Sequence, residues 1–284
     1  LMVSPMPRLS MAMLLEQMAP KVDLWIRGNI AVAAMTNRST KKRNIALLHH
    51  IDVSEIGNYW VNRGLAELFV KNARKCDCVI VVAEFWKKYL ESKGIERIKV
   101  IPNAFDIEAF AVKEEQVNNF KIKHGLQDKP IIYIGNCQKS KGSAEVYEIL
   151  KSMDAHLVSS GVRKINLPVH TFDLRYSEYI LLLSACDVVI TMSRFLEGWN
   201  RVAHEAMLCR TPVIGSGSGG MRELLEGGSQ IICENIQDIP EHLNFAYDNA
   251  TLLGENGFRF ASQFTVERFK ESWLSLIDSL ECSR

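Results

Sequence analysis

Short apolar runs of four to six residues alternate along the chain with stretches where apolar residues recur every three or four positions. The first pattern reads as strand and the second as helix. In the first half, strands are predicted at LMVS (1–4), VDLWI (22–26), IALLHH (45–50), CVIVV (78–82) and IKVIP (98–102). Helices are predicted between them at SMAMLLEQM, IAVAAMTNRS, WVNRGLAELFVKNARK and FWKKYLESKG. Pro102 and Asn103 mark a break, after which a polar run, KEEQVNNFKIKHG, takes over. The alternation then restarts, with strands at PIIYIG, AHLVSS, LPVHTF, CDVVIT, TPVIG and SQIIC. Helices fall at SAEVYEILKSM, SEYILLLSA, RVAHEAMLC and MRELLEG, and the tail from Asn256 to Leu280 reads as one helix.

Strand and helix in alternation point to an α/β fold with parallel sheets. At 284 residues the chain is too long for a single growing core, so two such units are expected. Their boundaries are placed at 1–108 and 109–262, with 263–284 a C-terminal helix expected to cross back to the first domain. Folds of this kind bind ligands beyond the carboxyl ends of their strands, and a cleft between two units suits a two-substrate reaction.

Composition narrows the field only at its edges. An apolar fraction of 47% and a charged fraction of 24% are ordinary for a globular protein. The net charge of +1 hides an asymmetry, about +5 over residues 1–108 and −4 beyond. The KKR run at 41–43 and the basic residues of the 60–75 helix would suit an anionic acceptor or a peripheral membrane contact. The plainer readings are a solvated loop and a core-packed helix carrying Trp60, Leu65, Leu68 and Phe69. No basic stripe of the kind nucleic-acid binding needs is present, so nucleic acid is not an expected partner.

The seven cysteines lack metal-ligand spacing, and several sit in apolar runs, as reduced thiols of a cytoplasmic protein do. No apolar run reaches the length of a spanning helix. Arg8 and Glu16 interrupt the apolar start, which argues against a signal peptide, and the opening Leu is what a processed or trimmed product would show.

The richest stretch is FLEGWNRVAHEAMLCRTPVIGSGSGG, residues 195–220. Gly215, Gly217 and Gly220 satisfy the dinucleotide fingerprint G-x-G-x-x-G. However, strand, helix and strand span only Thr211 to Glu234, short of the roughly 30 residues of that unit. A phosphate loop at GNCQKSKGS fails because its order is Lys-Gly-Ser. A third reading uses the whole stretch. Glu197 stands in the loop after a strand, where it can meet a sugar hydroxyl. Gly198, Trp199, Asn200 and Arg201 lead into a helix whose first N–H groups suit a diphosphate. Glu205 lies about a turn inside, where it can accept hydrogen bonds from a ribose diol. Gly219 and Gly220 would let backbone approach a substrate, or simply make a tight turn.

These residues carry a resemblance. EGWNRVAHEAMLCRTPVIGSGSGGMREL resembles the Glu-x7-Glu motif of the retaining, nucleotide-sugar-dependent "group 1" glycosyltransferases of the GT-B fold. IIYIGNCQKSKG resembles the strand and loop opening that family's second domain, and IALLHHID the strand ending in its active-site histidine. CDCVIVVAEFWKKYLESKGIERIKVIPNAFDIEAF resembles its last first-domain unit and linker. The resemblance implies two Rossmann-like parallel-sheet domains facing a cleft, the first shortened. It implies Glu197 on the transferred sugar, Glu205 on the ribose, Lys141 on the diphosphate, and His49 or His50 facing sugar and acceptor. Gly135 and Asn136 fall in the phosphate loop. On the strand read here, only one of the two histidines can face the cleft.

The implied activity is transfer of a hexose-type unit from a UDP- or GDP-sugar to an acceptor hydroxyl, with retained configuration. The acceptor would be a saccharide or lipid-linked saccharide in glycan, polysaccharide or glycolipid synthesis. No Asp-x-Asp motif offers a cation site, so no cofactor or metal is expected. Three positions depart from the family. Asn136 replaces a usual arginine, Asn200 a frequent glycine, and SPMPRLSM lacks the usual glycine pair. A non-catalytic nucleotide-sugar-binding protein or transferase subunit is the competing reading; a dehydrogenase is a distant one.

Overall fold

The structure, a computed structural model, describes residues 10–11, 13–14, 22–36, 43–51 and 59–282. The predicted strand LMVS, the loop SPMPRLSM up to Leu9, most of the 10–18 helix and the start of the KKR run lie outside the described residues. Contacts divide the chain into two compact units. One holds the chain up to Asn103 together with the stretch from Phe269, and the other is Ala104–Arg268. By contacts the divisions fall after Asn103 and Arg268, within six residues of the 108 and 262 read from the sequence.

The first unit is a four-stranded parallel sheet in the order β1-β2-β3-β4. Its strands are β1 (Leu24–Gly28), β2 (Arg43–Leu48), β3 (Cys78–Val81) and β4 (Ile98–Val100), joined by α1 (Asn29–Ala33), α2 (Tyr59–Ala73) and α3 (Glu84–Glu91). All four residues of β3 are buried, as a strand covered on both faces must be. Ile45, Cys78, Ile80 and Ile101 form a core with Leu276, which the C-terminal stretch brings against this sheet. Strand β2 stops at Leu48, so His49 and His50 stand in the loop beyond it. The alternation that would let only one of them face inward therefore does not apply.

The second unit carries a six-stranded parallel sheet in the order β10-β9-β8-β5-β6-β7. These strands are β5 (Ile131–Tyr133), β6 (His156–Ser160), β7 (His170–Phe172), β8 (Val188–Thr191), β9 (Val213–Gly215) and β10 (Ile231–Ile232). The helices are α4 (Glu114–His124), α5 (Ser143–Leu150), α6 (Tyr176–Ala185), α7 (Arg201–Leu208), α8 (Met221–Gly227), α9 (Ile239–Asp248) and α10 (Ala250–Ala261). The chain runs outward from β5 through β6 to β7, then returns to lay β8 on the other side of β5. That reversal makes the carboxyl ends of β5 and β8 the switch point, where such sheets bind their ligands.

Three segments differ from the sequence reading. The polar run after the break is helix α4, which buries only Phe120 and so shows little apolar period. Its ends hold it instead. Gln116 Oε1 accepts from the Lys113 amide at 2.9 Å, and Gly125 closes the helix at φ 65°. Helix α9 was not expected; it buries Ile239, Leu243 and Ala246 along one stripe, behind a proline suited to a first turn. The tail is two helices, α10 and α11 (Val266–Glu281). Between them Phe264 O accepts from the Phe105 amide at 2.9 Å, and Phe105 bridges Thr265. Backbone engaged sideways in this way cannot also continue the helical ladder.

Candidate active site

The loops after β5 and β8 meet at the switch point. The β5 loop holds Gly135, Asn136 and Lys141; the β8 loop holds Glu197, Gly198, Trp199 and Asn200. Gly142 binds the two loops closely: at φ +68°, a Cβ there would lie 2.2 Å from the Met192 carbonyl oxygen. Arg194 also donates its amide to Ser140 O at 2.9 Å.

Glu197 is buried, with 6% of its surface exposed. A buried carboxylate requires compensating partners, and here they converge on Oε1. Lys141 Nζ lies at 2.6 Å, the Ser193 hydroxyl donates at 2.5 Å, and Asn200 Nδ2 donates at 3.5 Å. The Lys141 ammonium also sits 4.7 Å over the Phe195 ring. The backbone of Glu197 is fixed from the far side. Its amide donates to Ser218 O at 3.2 Å, and its carbonyl accepts from the Gly220 amide at 2.9 Å. Gly219, at φ +67°, permits this bridge, since a Cβ there would come within 2.5 Å of Glu197 O. The smallness of Gly219 thus serves the loop that carries Glu197.

Asn200 adopts φ 52° and accepts from the Ala203 amide at 3.0 Å, capping α7. Asn is the side-chain-bearing residue best tolerated in that left-handed region, which explains how it stands in for glycine. The amides of Arg201 and Val202 precede the first intrahelical bond and are the donors a helix N-terminus offers an anion.

Inside α7, Glu205 is 4% exposed. Its Oε1 accepts from Tyr176 OH at 3.3 Å and from Arg201 at 3.2 Å. Burial pushes its carboxyl above the usual range, while Arg201, Tyr176 and Tyr179 pull the other way. Burial, followed by the nearby Glu205, raises the Tyr176 phenol to about 12. Beside this pair opens a cavity of about 310 Å³ lined by Tyr133, Asn136, Ser160, Asp173, Tyr176 and Tyr179. Asn136 accepts from Tyr133 OH at 3.4 Å, so this asparagine faces a neutral phenol.

Trp199 is buried and lies 5.1 Å from Phe264 between ring centroids. Its indole N–H donates to His204 Nδ1 at 3.0 Å. The side chain therefore fills the loop rather than facing a sugar. His204, fully buried and stacked on Phe105 at 3.9 Å, is a packing residue. Because indole can only donate, Nδ1 is the acceptor, and Nε2–H is left to donate to Ala261 O at 3.1 Å. Burial lowers this ring to about 3, so it is neutral. In the first unit, His49 is exposed and the His50 carbonyl accepts from Asn29 Nδ2 at 2.7 Å.

Ser193, Tyr176 and Tyr179 were not singled out from the sequence. Ser193 precedes Glu197 by four residues and the tyrosines sit three apart on a helix, patterns that gain meaning only once Glu197 and Glu205 are placed.

The family model for glycosyl transferases group 1 matches residues 114–257, the span that builds this site. The chain belongs to the group 1 glycosyltransferases. A second family model, Glycosyltransferase Family 4, matches residues 5–109 of this glycosyltransferase. An uncharacterized glycosyltransferase of Methanocaldococcus jannaschii is 25% identical over 256 residues, 84% of this chain and 68% of that protein. Among solved structures, Anabaena HepE in complex with UDP-glucose aligns at a TM-score of 0.81 and 19% identity, covering 96% of this chain and 82% of HepE. Sucrose-phosphate synthase from Thermosynechococcus elongatus aligns at 0.80 and 17%, covering 98% and 78%. The glycosyltransferase thus has the α/β GT-B fold. Among the described residues no helix is long and apolar enough to cross a membrane.

Proposed function

We propose that this glycosyltransferase moves a sugar from a nucleotide-diphospho-sugar, of the UDP type, to an acceptor hydroxyl with retained configuration. The observation that carries the reading is the Lys141–Glu197 pair at the switch point, with Glu205 a helix turn beyond it. HepE, described in complex with UDP-glucose and with UDP and glucose, supports UDP as the nucleotide.

In this reading Glu205 takes the ribose hydroxyls, and the adjoining cavity of about 310 Å³ takes the base between its tyrosines. The diphosphate lies on the Arg201 and Val202 amides and on Lys141, and Arg201 supplies the cation that Asn136 lacks. Glu197 holds the sugar hydroxyls. The main demand is to stabilise charge on the departing diphosphate, a task for donors fixed in advance. Lys141 and the start of α7 meet it without a metal. The carboxylates orient the donor, and the leaving phosphate takes the acceptor proton as the bond to the sugar forms on the same face. His49 and His50 are the first unit's candidates for sugar and acceptor contacts, on the resemblance alone. The acceptor class in view is a saccharide or a lipid-linked saccharide.

The test pairs a thermal-shift panel of nucleotides and nucleotide-sugars with an assay of nucleotide release. UDP and a UDP-sugar should raise the melting temperature, because they bind only the folded state. UDP release should rise when an acceptor extract is added and survive a chelator. Stabilisation without release favours a non-catalytic subunit, and stabilisation by NAD alone would sink the donor reading.

A further inference from the structure

The carboxylate of Glu205 is already covered. Its Oε1 accepts from Tyr176 OH at 3.3 Å and from Arg201 at 3.2 Å, and Tyr179 adds a further hydrogen bond. Only 6% of the Glu205 side chain is exposed, so a ribose hydroxyl reaches it by displacing one of these donors. The donors are not equally fixed. Tyr179 lies a turn inside α6, where burial raises its phenol well above the ordinary value. Tyr176 is the first residue of α6 and 49% exposed. Its ring meets its aromatic neighbours only edge-on or obliquely, at 6.4 Å from Phe110 and 6.3 Å from Tyr179 between centroids. Its hydrogen bond is also long, about 0.5 Å beyond the usual O–H···O separation. Arg201 is exposed too, and on the donor-site reading its guanidinium turns to the diphosphate.

A buried carboxylate does not tolerate the loss of its partners, whereas a half-exposed phenol that swings away finds water. Phenol and ribose hydroxyls are each a single O–H donor. With its phenol raised to about 12, Tyr176 stays protonated and able to donate. Its side chain also lines the cavity of about 310 Å³ beside Glu205, so moving it opens one onto the other. We propose, on the strength of the ribose role given to Glu205, that Tyr176 is a specificity-determining residue: its hydroxyl fills the ribose seat until a nucleotide's hydroxyl replaces it. The exchange of one hydroxyl for another blunts what the ribose gains at Glu205. A nucleotide lacking those hydroxyls leaves Tyr176 in place.

Calorimetric titration of the full chain and of its Tyr176→Phe variant, with UDP and with 2′,3′-dideoxy-UDP, tests it. In the variant Glu205 lacks that donor until the ribose arrives. UDP should then bind roughly five- to tenfold tighter than to the parent, the low end for an unsatisfied buried acceptor because Arg201 and Tyr179 remain. Dideoxy-UDP, which has no ribose hydroxyl to offer, should bind both proteins alike. Without nucleotide the variant should melt below the parent. Lost stability joined to a gain in affinity that depends on the ribose hydroxyls is not what a merely structural tyrosine gives. An unchanged or smaller preference for UDP over the dideoxy compound in the variant overturns the proposal, and the donor-site reading survives that result if the parent binds UDP. Failure of UDP to bind either protein removes both.

Discussion

The ammonium of Lys141 lies 2.6 Å from the carboxylate of Glu197, although 56 residues separate them in the chain. The pairing compensates the buried carboxylate for the water it has lost. A diphosphate arriving beside Lys141 must share that charge with Glu197. Glu197→Gln removes half of the pair and should lower kcat/KM for transfer by about 10²–10³, the scale of losing one fixed electrostatic contact. A steady-state assay with UDP-sugar checks this, with unchanged affinity for free UDP as the control. Unaltered transfer in a folded variant would remove Glu197 from the site.

Two glycines should prove costly to replace for a reason that their φ angles alone do not give. Gly219→Ala drives a methyl to 2.5 Å from Glu197 O, and Gly142→Ala to 2.2 Å from Met192 O. Gly125 has a similar φ of +65° but nothing within 4 Å of its would-be Cβ. Gly125→Ala should therefore cost about 1 kcal/mol, the penalty of the left-handed backbone, and the other two clearly more. Urea denaturation of the three variants gives the ordering.

At Asn200 the backbone and the cap can be separated. Asn200→Gly keeps the left-handed backbone at no steric cost and should destabilise by only a few tenths of a kcal/mol. Asn200→Ala loses the bond to Ala203 and strains φ 52°, for about 2 kcal/mol in all.

His204 predicts a pH dependence. Its ring titrates near 3 when folded, against 6.5 for an exposed histidine. The unfolded chain therefore binds the proton more readily than the folded one. Its contribution is complete above about pH 6.5 and falls, by about 1 kcal/mol per pH unit, as pH drops toward 3. Glu205, whose carboxyl is raised by burial, slopes the opposite way above its ordinary value. Comparing urea midpoints between pH 7 and 5 for the parent and His204→Gln isolates the histidine, and the variant should lose most of the slope.

The α/β alternation was legible because strands such as CVIV and VVIT are buried end to end and so are apolar throughout. Helix α4 was not, because its stability lies in its ends and not in a stripe. The break between α10 and α11 was hidden for another reason: its cause is Phe105, some 160 residues upstream of the backbone it engages. The same distinction runs through the site. Glu197, Glu205 and Lys141 announce themselves by motif, whereas the Ser193 hydroxyl on Glu197 and the tyrosines around Glu205 depend on rotamers that no local pattern encodes. For Trp199 the sequence leaves a sugar surface and a loop filler equally open, and its bond to His204 and its contact with Phe264 identify it as core.

The bridge between Glu197 and Gly219 has a thermodynamic consequence. Fixing one residue's backbone costs about 1–2 kcal/mol of conformational entropy. Residues 196–200 are stitched to the loop after β9 before any ligand arrives, so that loss is incurred when the chain folds. Donor binding then needs little further ordering of this loop. Calorimetry should accordingly show a smaller entropic penalty for the parent than for a variant in which the stitch has been loosened.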